Sequence, residues 1–171
     1  MKEIMLYYAR CNRAINETMN GLIRKNIPNP CELKLDGYYF KRLGDVLDHL
    51  FGTGMIWMKA FCDIDSFQMD LVAEAGAVPA YGEKVFSDFT EYEAATAKLD
   101  AFILEYTARL NDGFFHKKVS RKMKDGQVIE REVYRAMIHF FNHQTHHRGQ
   151  ISNILDNLNI DNNYSNMLYL E

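Results

Sequence analysis

The sequence has little cysteine, and no two cysteines stand at a metal-binding spacing. Its 171 residues include three cysteines, Cys11, Cys31 and Cys62, an odd number at wide intervals. This pattern argues against a disulfide framework and against a cysteine zinc knuckle. We therefore expect each cysteine to be a small buried apolar side chain.

Long hydrophobic runs and an excess of positive charge are also missing. Residues 1–23 carry a charge or an amide every few positions, unlike the apolar core of a signal peptide or a membrane span. The net charge of -3 comes from 20 basic and 23 acidic side chains mixed along the chain, which provide no broad cationic surface for a phosphate backbone. We expect a cytoplasmic protein that binds neither membrane nor nucleic acid.

The composition is that of a folded globular chain. Hydrophobic residues make up 47% and charged residues 25%, and no segment repeats or is low in complexity. A chain of this length buries most of its apolar surface without disulfides. Residues 1–171 are therefore predicted to form a single domain.

The spacing of apolar residues predicts four long helices. They cover about residues 3–25, 39–61, 88–110 and 132–158. The first ends before Pro28 and Pro30, which cannot continue a helix, and the third begins near Asp88, which stands with Glu91 at the spacing of a capping box. Four long helices with one crossover connection predict an all-α four-helix bundle and leave its topology open.

Two stretches between the helices have a different character. Residues 63–86, with Gly76, Pro79 and Gly82, show too little periodicity for a helix and are predicted to be an irregular connection. Residues 114–133 alternate in character around Asp125-Gly126, a dipeptide that favours a tight turn. They predict a small β-hairpin before the last helix, with His116 facing solvent.

Four of the six histidines lie on the last predicted helix: His139, His143, His146 and His147. At 3.6 residues per turn they share an arc of roughly 100°. The buried side of this helix is defined by Val133, Phe140, Ile151, Ile154, Leu155 and Leu158. His147 and His143 lie within about 30° and 70° of that side, and the other two lie beyond about 100°, at the rim. The pair one turn apart, His143 and His147, is therefore predicted to converge on one metal ion.

A third ligand is predicted on the second helix. His49 is the only histidine there, lies close to the apolar stripe and is followed eight residues later by Trp57. Three neutral imidazoles would hold zinc, nickel, iron or cobalt and leave a coordination position for water or substrate, as in catalytic sites. The alternative is that these histidines only cap, form hydrogen bonds in the core or line a wet cavity.

Other polar residues near the histidines allow two interpretations. Arg148 and Gln150 either orient a ligand or bind an anionic substrate, or they are ordinary surface residues. Asp45, one turn before His49, either holds that imidazole through its second nitrogen or is a solvated charge.

Three segments carry a family resemblance. The stretch from His143 to Gln150 contains HxxxHRGQ, His49 is followed by Trp57, and residues 8–13 read YARCNR. Together they resemble the DinB/YfiT-like family of damage-inducible and metal-dependent proteins. After Leu155 the sequence departs from the family, because it lacks the glycine and prolines usual there.

The resemblance implies a four-helix bundle, a homodimer and a three-histidine site for nickel or zinc. Some members of that family, such as mycothiol-dependent maleylpyruvate isomerases and bacillithiol transferases, use the metal to activate a low-molecular-weight thiol. One hypothesis is therefore a metal-dependent hydrolase or thiol transferase acting on a small molecule, with His146, His139 and Tyr8 as candidates for moving protons. The alternative is a non-catalytic, stress-associated metal- or ligand-binding bundle.

Overall fold

The computed structural model describes residues 1–64, 70–122 and 126–169, which contain five α-helices and one β-hairpin. The helices are α1 (Lys2–Asn26), α2 (Leu43–Cys62), α3 (Leu71–Ala75), α4 (Phe89–Arg109) and α5 (Val133–Asn157). The antiparallel strands β1 (Lys118–Lys122) and β2 (Val128–Glu132) lie directly before α5. The predicted all-α bundle with a small hairpin before the last helix is confirmed.

The four long helices share one core. Helices α1 and α2 each pack against both α4 and α5, so α1 and α2 lie at opposite corners of the bundle. The connection 27–42 therefore joins two diagonal helices. Large side chains such as Phe102, Tyr106 and Phe140 fill the centre, and the Tyr106 hydroxyl donates to the backbone oxygen of Phe61 at 2.9 Å. This packing makes α2 and α5, which carry the candidate ligands, direct neighbours.

The ends of α1 and α4 follow their sequence signals. Ile27, which precedes Pro28, is extended with φ -120°, because the proline ring disfavours helical backbone in the residue before it. At the start of α4 the Asp88 carboxylate accepts a hydrogen bond from the backbone N–H of Thr90. Both predicted boundaries are confirmed to within one or two residues.

Helix α2 begins later than predicted, at Leu43 rather than near Tyr39. Residues 34–42 instead form a turn, in which Lys34 and Arg42 pair as an isolated bridge and Gly37 has φ +82°. The Asp45 carboxylate accepts from the backbone N–H of Arg42 at 3.0 Å and from its guanidinium at 2.9 Å. Asp45 therefore caps the helix, and the interpretation that it holds His49 was wrong.

The connection predicted to be irregular contains a short helix. Asp70 accepts from the backbone N–H groups of Val72 and Ala73, at 3.0 and 3.1 Å, and so caps the five-residue α3. A helix of about one and a half turns is too short to produce a periodic apolar pattern in the sequence. Residues 65–69 of the same connection lie outside the described part.

The hairpin is confirmed, and its register is set by five pairs from Lys118↔Glu132 to Lys122↔Val128. Gly126 has φ +85°, the left-handed conformation predicted for the turn, whereas Asp125 lies outside the described residues. His116, just before β1, is exposed as predicted.

Helix α5 ends at Asn157, and Leu158, predicted to be buried, is 42% exposed. Leu158 is the residue that caps the helix, and the next residue, Asn159, adopts the left-handed φ of +56°, so the chain leaves the helix axis at this point. The tail folds back along the bundle, and the hydroxyl of the buried Tyr164 donates to the backbone oxygen of Arg148 at 2.8 Å.

The three cysteines are free; Cys11 and Cys31 are buried, as predicted, whereas Cys62 is only half-buried. Among the described residues, every helix is too short or too polar to cross a lipid bilayer.

Gly44 provides a test of the packing at the start of α2. A Cβ at this position would lie 2.6 Å from the backbone oxygen of Cys31 and 3.0 Å from its Cα. Because backbone atoms cannot rotate away, we expect Gly44→Ala to lower the free energy of unfolding by about 1–3 kcal/mol in urea titrations. The matched control is Gly21→Ala in α1, where a Cβ meets nothing within 4 Å and should raise stability by up to about 1 kcal/mol. Equal effects of the two substitutions would contradict this account.

Candidate metal centre

Three imidazole nitrogens converge between α2 and α5. The Nε2 atom of His143 lies 3.2 Å from the Nε2 of His49 and 3.2 Å from the Nε2 of His147. One ligand atom from each residue lies within 4.8 Å of the others. The predicted grouping of these residues, from two different helices, is confirmed.

The spacing of the nitrogens suits a metal ion. Two nitrogens 3.2 Å apart, each about 2.0–2.1 Å from one ion, would give a nitrogen–metal–nitrogen angle of roughly 100°, close to the tetrahedral value. Without a cation, hydrogen bonds cannot satisfy all three nitrogens, since each neutral imidazole has a single N–H. One ion accepts a lone pair from all three, so the residues present fit a divalent metal.

The close packing of α2 on its neighbours brings the ligands together. A Cβ on Gly54 would lie 3.0 Å from a methyl group of Leu99 on α4 and 3.6 Å from the side-chain nitrogen of Gln144 on α5. The buried Gln144 also donates to the backbone oxygen of Leu50 at 3.2 Å, next to His49. This interhelical bond lies one residue along the chain from a ligand on each helix and fixes their relative position.

Gln150 orients one of the ligands. Its side-chain oxygen lies 2.8 Å from Nδ1 of His147, and its amide nitrogen lies 3.4 Å from Nε2 of His146. With Nδ1–H donating to the amide oxygen, the lone pair of His147 is left on Nε2, which faces the common point. This contact favours the interpretation in which Gln150 orients a ligand over that of an ordinary surface residue.

His143 is held differently. Its Nδ1 is buried and has no hydrogen-bond partner within the described part of the chain. Its ring lies 5.1 Å from that of His49 and 4.5 Å from that of His147, measured between centroids. The neighbouring rings, rather than a hydrogen bond at Nδ1, therefore set its orientation.

The environment keeps the ligands uncharged. Burial, assisted by His147, lowers the pKa of His49 to about 4, and burial with repulsion from the other histidines lowers the pKa of His143 to about 3. Burial also lowers the pKa of His147, although its hydrogen bond to Gln150 acts in the opposite direction. All three imidazoles are therefore neutral near pH 7, the form that binds metals.

These shifts predict the pH dependence of metal affinity. Protons compete with a metal for an ordinary histidine below a pKa of about 6.5. Because the pKa values of His49 and His143 lie at about 4 and 3, competition begins only at lower pH. We expect the dissociation constant for Zn²⁺ to change less than about threefold between pH 7.5 and 5.5 and to rise steeply only below about pH 4. Competition with a chelator, corrected for the chelator's own protonation, measures this. A tenfold loss of affinity between pH 7 and 6 would contradict it.

Two aromatic rings from loops flank the ligands and were missed by the sequence reasoning. The ring of Phe40, from the turn before α2, lies 5.2 Å from that of His49 and 5.8 Å from that of His147. The ring of Tyr81, from the connection before α4, lies edge-on to His49 at 6.0 Å. No local sequence signal identifies them, because both reach the site through loops whose course depends on tertiary packing.

The candidate proton-transfer residues lie at different distances from the ligands. His146 is exposed, and its ring is 4.9 Å from that of His147. His139 is also exposed, and its ring lies 6.1 Å from that of His143 and 5.5 Å from that of Trp57. Tyr8 stacks on Phe141 at 5.5 Å, where α1 meets α5. The rim positions predicted for both histidines are confirmed, while the catalytic roles stay predictions.

Arg148 is buried, so neither interpretation of it from the sequence was right. It is 5% exposed, and its guanidinium donates to the side-chain oxygens of Asn12 and Asn16, the latter at 3.1 Å. The amide nitrogens of the same asparagines donate to the buried carboxylate of Asp100 at 2.8–3.1 Å. Two asparagines therefore bridge a buried cation and a buried anion and join α1, α4 and α5.

This polar network lies in the core, so its charges are held by specific partners. Burial raises the pKa of Asp100 to about 6, although Arg148 and the two asparagines act in the opposite direction. Burial likewise lowers the pKa of Arg148 to about 10, against the attraction of Asp100. Arg148 therefore supports the bundle behind His147 and does not face a substrate.

The segments that meet at the site are also those that carry the family pattern. A family model described as the DinB family matches residues 1–159. The chain belongs to the DinB family. No curated protein and no solved structure matches the chain. In this DinB-family protein the match ends where α5 has ended, and the tail that follows is the part in which the sequence departs from the pattern.

Proposed function

We propose that this DinB-family protein is a metal-dependent enzyme, of the hydrolase or thiol-transferase type, that acts on a small molecule. The observation that carries the proposal is the donor set of His49, His143 and His147, to which no carboxylate or thiolate of the described residues adds a fourth ligand. Catalytic metal sites keep an open position, whereas structural zinc sites are closed by four protein ligands.

Nickel or zinc is the metal we propose, because imidazole nitrogens suit both ions. When bound, the ion would lower the pKa of a water or a thiol at the open position and polarise an electrophile. The protein supplies the three neutral imidazoles and the Gln150 amide that fixes the tautomer of His147. Phe40 and Tyr81 would shield the reacting groups from bulk water.

We assign proton transfer to His146 first. Its imidazole is exposed, lies beside His147 and is linked to it through the Gln150 side chain. His139, next to His143, is the second candidate. Tyr8 is the third, at the junction of α1 and α5, where its ring stacks on Phe141. A low-molecular-weight thiol is the proposed nucleophile of a transferase reaction, and water that of a hydrolase.

The test is turnover by metal-free protein reloaded with one metal at a time. We expect protein stripped with a chelator to be inactive, and Ni²⁺ or Zn²⁺ to restore either conjugation of a thiol to a small electrophile or ester hydrolysis. His146→Ala should retain the metal and lose activity, whereas His116→Ala, at the exposed histidine before β1, should retain both. A bound metal with no exchangeable water, and no turnover in either assay, would overturn the proposal in favour of a non-catalytic metal-binding bundle.

We also propose that the protein is a homodimer. The exposed apolar side chains Ile4 and Tyr8 on α1 and Ile138 on α5, which are 56%, 39% and 50% exposed, support a contact through these neighbouring helices. Light scattering should give twice the chain mass of 20.0 kDa, and Ile138→Glu should give a monomer. A monomeric wild-type protein would refute this.

A further inference from the structure

A cavity lies beside the candidate metal centre, between the hairpin and helices α2 and α5. It has a volume of 360 Å³, and its apolar surface comes from Trp57, Val119, Ile129 and Ala136. His139 lines it too, and the ring of His139 lies 6.1 Å from that of His143. The cavity and the candidate metal centre are therefore neighbours along one face of α5.

Three arginines point to the chemistry of this cavity. Arg121 and Arg131 come from the hairpin and Arg135 from the first turn of α5, and none of the described lining residues is acidic. The strand register explains why the first two share a face: Arg121 pairs with Ile129, and Arg131 pairs with Val119. Lys118 and Glu130, each next to a cavity-facing residue along its strand, lie on the opposite face, where they form an ion pair at 2.8 Å.

The guanidinium groups on the cavity side are not neutralised by the protein. The guanidinium of Arg121 lies 4.7 Å above the Trp57 ring, and Arg131 donates to the backbone oxygen of Glu130. Within residues 1–64, 70–122 and 126–169, no carboxylate lies within 4 Å of either arginine. Among the described carboxylates, Arg135 contacts Glu132 alone, at 3.6 Å; it also donates to the Tyr134 hydroxyl at 2.9 Å, and its side chain is 61% exposed. Most of the positive charge of this cavity is therefore available to a ligand.

We propose that this cavity binds a small organic anion with an aromatic or otherwise apolar body. The guanidinium fork of Arg131 or Arg135 would pair with the anionic group in a bidentate manner, while the apolar body contacts Trp57, Val119 and Ile129. A neutral apolar molecule would leave the arginines unpaired, and an inorganic anion would leave the apolar wall exposed to water. This inference is separate from the proposed catalysis, since it requires no metal and no reaction.

Trp57 provides a direct measurement, because it is the only tryptophan in the sequence and lines the cavity. Its emission, excited at 295 nm, is followed during titration with 3-phenylpropionate, with its neutral counterpart 3-phenylpropan-1-ol and with 2-phenylethyl phosphate, in metal-free and in metal-loaded protein. We expect both anions to shift the emission and to bind at least tenfold more tightly than the alcohol. The two anions distinguish a carboxylate preference from a phosphate preference.

The variants separate a local site from general electrostatic attraction. Arg131→Gln, at an exposed hairpin position, should weaken anion binding about tenfold or more and leave alcohol binding unchanged. Arg121→Gln should do the same, with calorimetry as the readout because this arginine covers Trp57. The matched control Lys118→Gln removes the same charge from the opposite face and should change affinity less than about twofold.

Three results would overturn the proposal. They are equal binding of the alcohol and the anions, an equal effect of Lys118→Gln and Arg131→Gln, and no response of Trp57 emission to millimolar probe. Loss of turnover alone would not bear on it.

Discussion

His143→Ala is expected to weaken metal binding by more than about 100-fold, beyond the 10–100-fold typical of losing a group that only orients a ligand. The reason is geometric: the Nε2 of His143 lies 3.2 Å from that of each partner, so its removal takes away the central donor. The remaining His49 and His147 offer two ligands, too few to hold an ion against water and chelators.

Thermal unfolding provides the second measurement of the same variant. For the wild-type protein, a free metal concentration of 100 times the dissociation constant should stabilise the fold by about 2.7 kcal/mol, which corresponds to a rise in Tm of roughly 5–11 °C. The gain should vanish in His143→Ala, fall partially in Gln150→Leu and persist in His116→Ala, whose ring lies before β1 beside Glu132. A full metal-dependent shift in His143→Ala would mean that the ion binds elsewhere.

Arg148→Met is expected to lower the free energy of unfolding by about 3–5 kcal/mol, the usual cost of removing one partner from a buried charged network. Asp100, which is 3% exposed, would keep its two asparagine donors but lose the balancing positive charge. The double variant Arg148→Met with Asp100→Asn should recover part of that loss, because no uncompensated charge remains in the core. Urea titration of the four proteins completes a double-mutant cycle.

The pH dependence of this loss has a defined sign. The pKa of Asp100, already raised by burial to about 6, should rise further without Arg148. When a carboxyl group has a higher pKa in the folded state than in the unfolded chain, the folded protein loses stability as the pH rises from the lower pKa to the higher one. The difference in unfolding free energy between Arg148→Met and the wild type should therefore shrink from pH 7.5 to pH 5.

Arg109, which forms an exposed ion pair with Glu105, provides the matched control. Arg109→Met should lower the free energy of unfolding by less than about 0.5 kcal/mol at both pH values. A pH-independent loss in Arg148→Met would indicate lost packing rather than an unbalanced charge.

Much of the metal centre was predictable because it is encoded by helical periodicity. His143 and His147 lie one turn apart on the buried side of α5, and the apolar residues of the same helix define that side. The rim positions of His139 and His146 follow from the same angles. His49 required one further step, namely that its helix packs directly on α5, and the family pattern supported that step.

The prediction was weakest for polar residues with distant partners. For Arg148 the sequence analysis left open a role in orienting a ligand or binding an anion and a place on the surface, yet the residue is 5% exposed, which is rare for a guanidinium. Its burial is stabilised by Asn12 and Asn16, which lie more than a hundred residues earlier in the sequence. The start of α2 and the role of Asp45 were misjudged for a related reason, since a turn closed by Lys34 and Arg42 replaced the expected first helical turn.

The sequence by itself determined the four long helices, the hairpin, the buried face of α5 and the identity of the three histidines that converge in the candidate metal centre. Tertiary structure alone decided that Phe40 and Tyr81 flank the three histidines, that Asn12 and Asn16 bridge Arg148 to Asp100, and that three arginines line one cavity. The physical reason is that a local pattern records which face of an element avoids water. Which side chains from distant segments then meet depends on how those faces pack together.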